Sequence, residues 1–306
     1  MIYDIYGNGM SLITNVKSFG AKGDGVTNDA LAIQDALDYA QRGGIIFFPF
    51  GTYLITSNVV FYSNQHLVFE KGAKLLQGAA INNLMMNHST SEIGEYNATK
   101  NVIIEGATFD GGNYTENNTL FGICHSKNIT IRNCRFINAY GTWHNIEINS
   151  SKNVLIDNCY FEGSRKTGAS GEMIQIDSFN NTATWPWGNG AVDGTVSYMV
   201  EVKNCFFENN VISPAIGNHS DAIVNCIRIH DNIFDGLTSS RGAINFKNAK
   251  NVDAYNNTFA GCPTGMTIGT ADNTNTLHDN RFINTTTVNG PGINAYNNMI
   301  NNVFTA

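Results

Sequence analysis

The sequence predicts an all-β chain wound as a right-handed, single-stranded parallel β-helix, closed at its N-terminal end by one short helix. Three observations carry that prediction. A unit repeats from position 101 to the end, at spacings mostly between 22 and 27 residues. Each unit holds an alternating apolar–polar strand, an asparagine-containing turn and a short aromatic strand. The composition is rich in turn formers, with 44 asparagines and 30 glycines against only 14% charged residues. That bias favours many short strands and tight turns over long helices.

The repeats begin as NVIIEGATFDG at Asn101, NITIRNCRFIN at Asn128 and NVLIDNCYFEG at Asn153. They continue as MVEVKNCFFEN near Met199, NCIRIHDNIFDG at Asn225, NVDAYNNTFAG at Asn251, NTLHDNRFIN near Asn275 and a degenerate MINNVF at Met299. One such unit cannot bury its own inner face, so the units must stack, and their side chains then form internal columns. Asn133, Asn158, Asn204, Asn232 and Asn257 recur near the same turn and are expected to form one amide ladder. Cys134, Cys159 and Cys205 follow three of them and are expected as inward-facing free thiols. No Cys or His pair has the close spacing of a structural zinc site, so neither a metal nor another cofactor is expected.

The N-terminal third differs. Residues 28–42 read as an amphipathic helix, with Asn28 as cap, Asp29 placed to favour the first-turn dipole, and an apolar stripe of Ile33, Leu37 and Ala40. Gly43 and Gly44 end it. A β-helix end exposes unpaired backbone, so a helix there is expected as a lid. Residues 1–14 are read as a linker or attachment segment, residues 15–306 as one β-helix domain, and the regular rungs as about 100–306.

The same segment carries a family resemblance. Phe19-Gly20-Ala21-Lys22-Gly23-Asp24-Gly25, Thr27-Asn28-Asp29, Ile33-Gln34, and the run from Gly43 through Pro49, Gly51 and Tyr53 resemble the opening of the pectate-lyase-like superfamily. That superfamily includes polygalacturonase-type glycoside hydrolases, polysaccharide lyases and bacteriophage tailspike depolymerases. The resemblance spans about residues 15–306 and implies the fold. It does not imply one reaction, because a fold hosts many chemistries.

Charge and hydropathy exclude other classes. A net charge of −7 speaks against a nucleic-acid partner. No apolar run approaches a membrane span, and MIYDIYGNGM lacks the basic and apolar regions of a signal peptide. An extracellular or virion-associated location is expected, with a homotrimer if the chain is a phage tail protein.

Candidate chemistry lies on the strand after the glycine-rich turn of each unit: HNIEIN (144–149), EMIQID (172–177), AIGNHSD (215–221), AINFK (243–247) and MTIGT (266–270). Alternation turns Ile146, Ile148, Ile174, Ile176, Ile216, Ile244 and Phe246 inward, together with Asn218. Glu147, Asn149, Gln175, Asp177, His219, Asn245 and Lys247 should then face solvent. A column of Asn149, Asp177, His219 and Lys247 sets a carboxylate, an imidazole and a cation in line, which suits glycosidic-bond cleavage. Asp177 is the candidate acid, base or nucleophile, with His219 as relay. Glu172 and Glu147 are candidates for the second carboxylate that glycosidases use. Arg241, Lys247, Gln175, Asn245 and His144 are candidate substrate contacts. Trp185 and Trp187, in an extra loop, and Trp143 offer flat faces for sugar stacking.

The resemblance extends to this column. Polygalacturonase-type enzymes carry Asn-Thr-Asp, a paired Asp, Gly-His-Gly and Arg-Ile-Lys on successive rungs. Gln175-Ile176-Asp177 occupies the first place, Asn218-His219-Ser220 resembles the histidine motif, and Arg241 through Lys247 supply the cationic end. The paired Asp has no counterpart, and no acidic run resembles the calcium site of pectate lyases. Hydrolysis of a polysaccharide is the leading expectation. A carbohydrate-binding tail or adhesin module, or a lyase acting on a uronic-acid glycan, are the alternatives.

Overall fold

A computed structural model describes residues 13–141, 143–166, 171–180, 190–208, 214–270, 274–285, 287–289 and 299–305. Among them, strands join three parallel sheets of eleven, eleven and nine members, wound as a right-handed parallel β-helix. A typical rung contributes Lys127–Arg132 to the first sheet, Arg135–Ile137 to the second and Ile146–Asn149 to the third. The first described strand, Ile13–Asn15, already pairs with Ile45–Phe47.

Alternation decides what each rung buries. Ile129 and Ile131 register with Val154 and Ile156 on the next rung, and Ile146 and Ile148 register with Ile174 and Ile176. The short aromatic strand supplies one inward phenylalanine per rung. Phe109, Phe136, Phe161, Phe207, Phe234, Phe259 and Phe282 are all buried and stack with ring centroids 4.8–5.0 Å apart. That separation matches the interstrand spacing, so stacking and backbone pairing reinforce each other.

The expected amide ladder divides into two columns. Asn133, Asn158 and Asn204 occupy the left-handed turn between the first two sheets, at φ of 57°, 53° and 54°. Their amides point outward, Asn158 donating to Asn133 at 2.7 Å. Asn232 and Asn257 lie one position later and face the core. They continue the buried column of Ala107, Cys134, Cys159 and Cys205. Asn257 Oδ1 accepts from the backbone N–H (3.1 Å) and amide (3.0 Å) of Asn232, and Asn280 repeats the pattern for Asn257. The reason is conformational: asparagine tolerates a positive φ better than most residues, and a buried amide survives only where the rungs above and below satisfy it. All six cysteines are free thiols.

The N-terminal helix spans Ala30–Tyr39, shorter than 28–42. Ala30, Ile33, Ala36 and Leu37 are buried under it. Asp29 stands at the N-cap without a side-chain capping hydrogen bond; its carboxylate turns back to accept the backbone N–H groups of Lys22 (2.6 Å) and Gly23 (2.9 Å). Gln34 pins the helix by donating to the carbonyl of Val60 and accepting from its N–H. Gly43 has φ 113°, and a Cβ there would lie 2.7 Å from Cβ of Asn64. The residues that carry the family resemblance therefore build the lid and its turns, which explains why they are specific for fold and silent about reaction.

Candidate active site

The third sheet brings the candidate residues into register as alternation requires. Ile216 and Asn218 face inward opposite Ile244 and Phe246, and Gly217 lies between Gln175 and Asn245 on the outer face. Asn218 is tolerated inside because its amide donates to the carbonyls of Ala222 (3.3 Å) and Asn248 (2.9 Å). Asn149 pairs with Asp177.

The outward residues do not all meet solvent. Glu147, Asn149, Glu172, Gln175 and Asp177 are buried, as is His144. Flanking segments cross this face and hold to it. His125 spans the carbonyls of Glu95 (2.7 Å) and Ala191 (2.8 Å). Ser150 donates to Thr195, and Ser197 donates to the carbonyl of Asp177, both at 2.6 Å. Alternation specifies the face of a sheet, and loops laid across it set exposure.

Asp177 collects donors. Oδ2 accepts from Gln175 Nε2 (2.9 Å), His219 Nδ1 (3.1 Å) and the Ser220 N–H (3.2 Å). Oδ1 accepts from the Ser178 N–H (3.0 Å) and the Ser220 hydroxyl. His219 is the outer member of this group, with its side chain 50% exposed while Asp177 is fully covered. The buried aspartate thus fixes the orientation of an imidazole that reaches solvent.

Glu172 forms a second centre beside it. Arg241 Nη1 lies 3.3 Å from Oε1, while Oε2 is buried without a hydrogen bond. Burial is the main cause that raises its pKa above the ordinary carboxylate value, against the pull of His219 and Arg241. Gly217 makes room for it: a Cβ there would stand 2.0 Å from the carbonyl oxygen of Asn245 and 3.3 Å from Cγ of Glu172. His144 donates from Nδ1 to the carbonyl of Glu172 at 2.8 Å. Its burial depresses its pKa to about 3, so the ring is neutral at ordinary pH. The rings of His144 and His219 meet edge to face at 6.1 Å.

Glu147 stands apart from this group. Asn149 donates to it at 2.8 Å, Thr119 at 3.5 Å, and burial pushes its pKa well up. Lys247 is half exposed and paired with Asp221 at 2.6 Å. Beside His219 opens a hollow of about 310 Å³, lined by His219, Arg241, Asn245, Lys247 and Thr267 among others. A larger hollow of about 380 Å³ lies on another sheet around Tyr198, Met199, Cys226 and Arg228. Arg228 there is engaged by Tyr255 and Glu201, and no buried carboxyl or imidazole converges on it. Trp185 and Trp187 lie outside the described residues; Trp143 is half-buried next to His144. The sequence marks Glu172 as a candidate carboxylate and His144 as a candidate substrate contact, but carries no signal that both meet His219 in one cluster, two members buried and His219 exposed.

The family of rhamnogalacturonase A and epimerase, pectate lyase-like, matches residues 13–293. The chain belongs to this pectate-lyase-like family. Plasmin and fibronectin-binding protein A of Streptococcus pneumoniae is 32% identical over 260 residues, covering 73% of this chain and 36% of that protein. The chain thus spans about a third of that relative's length. The pre-neck appendage protein of Bacillus phage phi29 is 29% identical over 183 residues, 49% of this chain and 20% of that protein. Among solved structures, the pneumococcal surface adhesin PfbA superposes with a TM-score of 0.71 at 24% identity, covering 91% of this chain and 79% of that one. A family 28 exopolygalacturonase of Yersinia enterocolitica gives 0.65 at 16%, covering 98% and 66%. At those identities the superpositions establish the fold. No helix among the described residues is long and apolar enough to cross a membrane.

Proposed function

We propose that this member of the family cleaves glycosidic bonds in a polysaccharide by hydrolysis, at the hollow beside His219. The observation that supports it is the convergence of two buried carboxyl groups, two imidazoles and Arg241 on one sheet face. Burying ionisable groups costs several kcal/mol each unless they are paired, and a β-helix rung has no structural need of them. Such clusters concentrate where proton transfer is done.

The roles follow from the surroundings. Glu172, whose pKa is raised by burial, is the proton donor to the leaving oxygen. His219, aligned by Asp177, takes a proton from the attacking water. Arg241 and Lys247 face the same hollow and would hold an acidic substituent of the sugar. Asn245 supplies an amide to the hollow, Gln175 is buried and holds Asp177, and the Trp143, Trp185 and Trp187 rings are assigned to stacking. Glu147 lies outside this scheme and is assigned a structural part. The setting proposed is a cell surface or a virion, and the ligand a glycan.

Incubation with a glycan panel tests this reading through new reducing ends. Their appearance, and their loss in Glu172→Gln, is the expected result. The adhesin-like relative favours a second reading, a glycan- or protein-binding module. Binding without new reducing ends would establish that reading in place of hydrolysis. Product absorbing in the near ultraviolet would instead mean elimination.

A further inference from the structure

We propose that His144, Glu172 and His219 form a binding site for one divalent transition-metal ion of the zinc class. A nitrogen of each ring and a carboxylate oxygen of Glu172 all lie within 4.8 Å of one another. Two imidazoles and one carboxylate are the donor types such ions select, and they leave the remaining positions open.

Hydrogen bonding around the cluster points the same way. A carbonyl oxygen can only accept, so the contact of His144 Nδ1 with the carbonyl of Glu172 places the proton on Nδ1. His219 Nδ1 likewise donates to Asp177. Each ring therefore keeps its lone pair on Nε2. Metal-ligating histidines are held in this way, the far nitrogen donating to a carbonyl or a carboxylate. The carboxylate of Glu172 is arranged similarly: Arg241 holds Oε1, and Oε2 is buried with no hydrogen bond. An unsatisfied buried carboxylate oxygen costs free energy, and a cation would offset that cost.

Metal–ligand bonds of about 2.0–2.2 Å place donor atoms roughly 3–3.5 Å apart. Against the 4.8 Å limit of the cluster, it is thus open by up to about 1–2 Å. His219, half exposed on the outer side, is the member free to close it. His144 and Glu172 are fixed in the interior, so the ion would bind a half-built cradle. The arrangement shares Glu172 with the hydrolytic reading yet does not depend on it. An ion on Oε2 displaces the proton that Glu172 would donate, so loading the site is expected to inhibit hydrolysis.

The test is direct binding, measured on the full chain after dialysis against a chelator. Titration with Co²⁺, followed by its visible d–d absorption, is expected to show one ion per chain, displaced by Zn²⁺. Glu172→Gln and His219→Ala should each weaken binding by at least about 100-fold. Asp177→Asn, which disturbs only the orienting partner, should weaken it by about 10–100-fold. Circular dichroism verifies folding; His219→Ala alters a half-exposed side chain and keeps the test valid if buried variants misfold. Binding equal in wild type and His219→Ala, or no binding at all, overturns the proposal. An absence of glycan cleavage with intact Co²⁺ binding sinks only the hydrolytic reading, and the converse sinks only this one.

Discussion

Asp177 sits beneath five donors from Gln175, Ser178, His219 and Ser220, so its replacement tests packing as well as proton transfer. Asp177→Asn puts an amide N–H where an acceptor is needed, and about 1–3 kcal/mol of stability should be lost. A solvated strand residue would have cost nothing. On a glycan that the wild type cleaves, turnover should fall by roughly 10²–10⁴ while binding persists. Near-full turnover would remove Asp177 and its partner His219 from the mechanism. Glu147 makes a prediction of opposite sign to the usual acid denaturation. Its folded pKa is raised by burial, so the stability it contributes is complete below the unfolded carboxylate value of about 4.3 and is lost as pH climbs toward the folded pKa. Glu147→Gln cannot lose it. The melting temperature of the variant should therefore gain on wild type between about pH 4 and pH 7; parallel curves would show that Glu147 stays charged in the fold.

The turn between the first and second sheets carries two asparagine columns with different physics. Asn158 is exposed at φ 53° and serves through its tolerance of that backbone. Asn158→Ala should cost about 1–2 kcal/mol, the left-handed penalty for an ordinary residue. Asn257 is buried and serves through its amide, which donates to Asn280 and the carbonyl of Ile229 while accepting from Asn232. Asn257→Ala strands several buried groups at about 1–3 kcal/mol each, so chemical denaturation should rank it well below Asn158→Ala. Equal losses would mean that the inner column is not hydrogen-bonded as described. The cysteines separate in the same manner. Cys134, Cys159 and Cys205 are buried and burial raises the Cys134 and Cys159 thiols strongly, whereas Cys226 is half exposed at φ 57°. A thiol reagent should label Cys226 first in the native protein and all six in denaturant. Fewer than six would reveal a disulfide and count against the stacked column.

At the scale of the molecule, the β-helix is a one-dimensional stack whose stability is a sum over neighbouring rungs, and its ends are its weak points. The N-terminal end is closed by Ile33 and Leu37, fully buried on the helix, and by the two hydrogen bonds from Gln34 to Val60. Ile33→Asp places an unpaired charge in that joint, which should lower the melting temperature and unseat the lid. An unlidded parallel sheet offers free backbone for pairing. Size-exclusion chromatography should then show larger species for Ile33→Asp. A monodisperse variant with an unchanged elution volume would show that the lid does not guard the end.

Much of this was legible in one dimension because the fold is periodic. Phe136, Phe161 and Phe207 recur at one place in each unit, and a recurring inward position can be read without coordinates. The same holds for the register of Ile146 with Ile174, and for the assignment of Asp177 and His219 to one outer column. Alternation along a strand is a local property of the backbone. What the sequence left open is what lies over that column, and which of two adjacent positions each asparagine occupies. Burial of Glu172 and Asp177 arises from segments such as 190–197 laid across the sheet. The meeting of His144, Glu172 and His219 arises from three rungs whose connecting loops differ in length. Neither follows a period, so only the tertiary structure could decide them: local pattern sets the face of a strand, and long-range packing sets the dielectric and the neighbours that make a carboxyl group chemical.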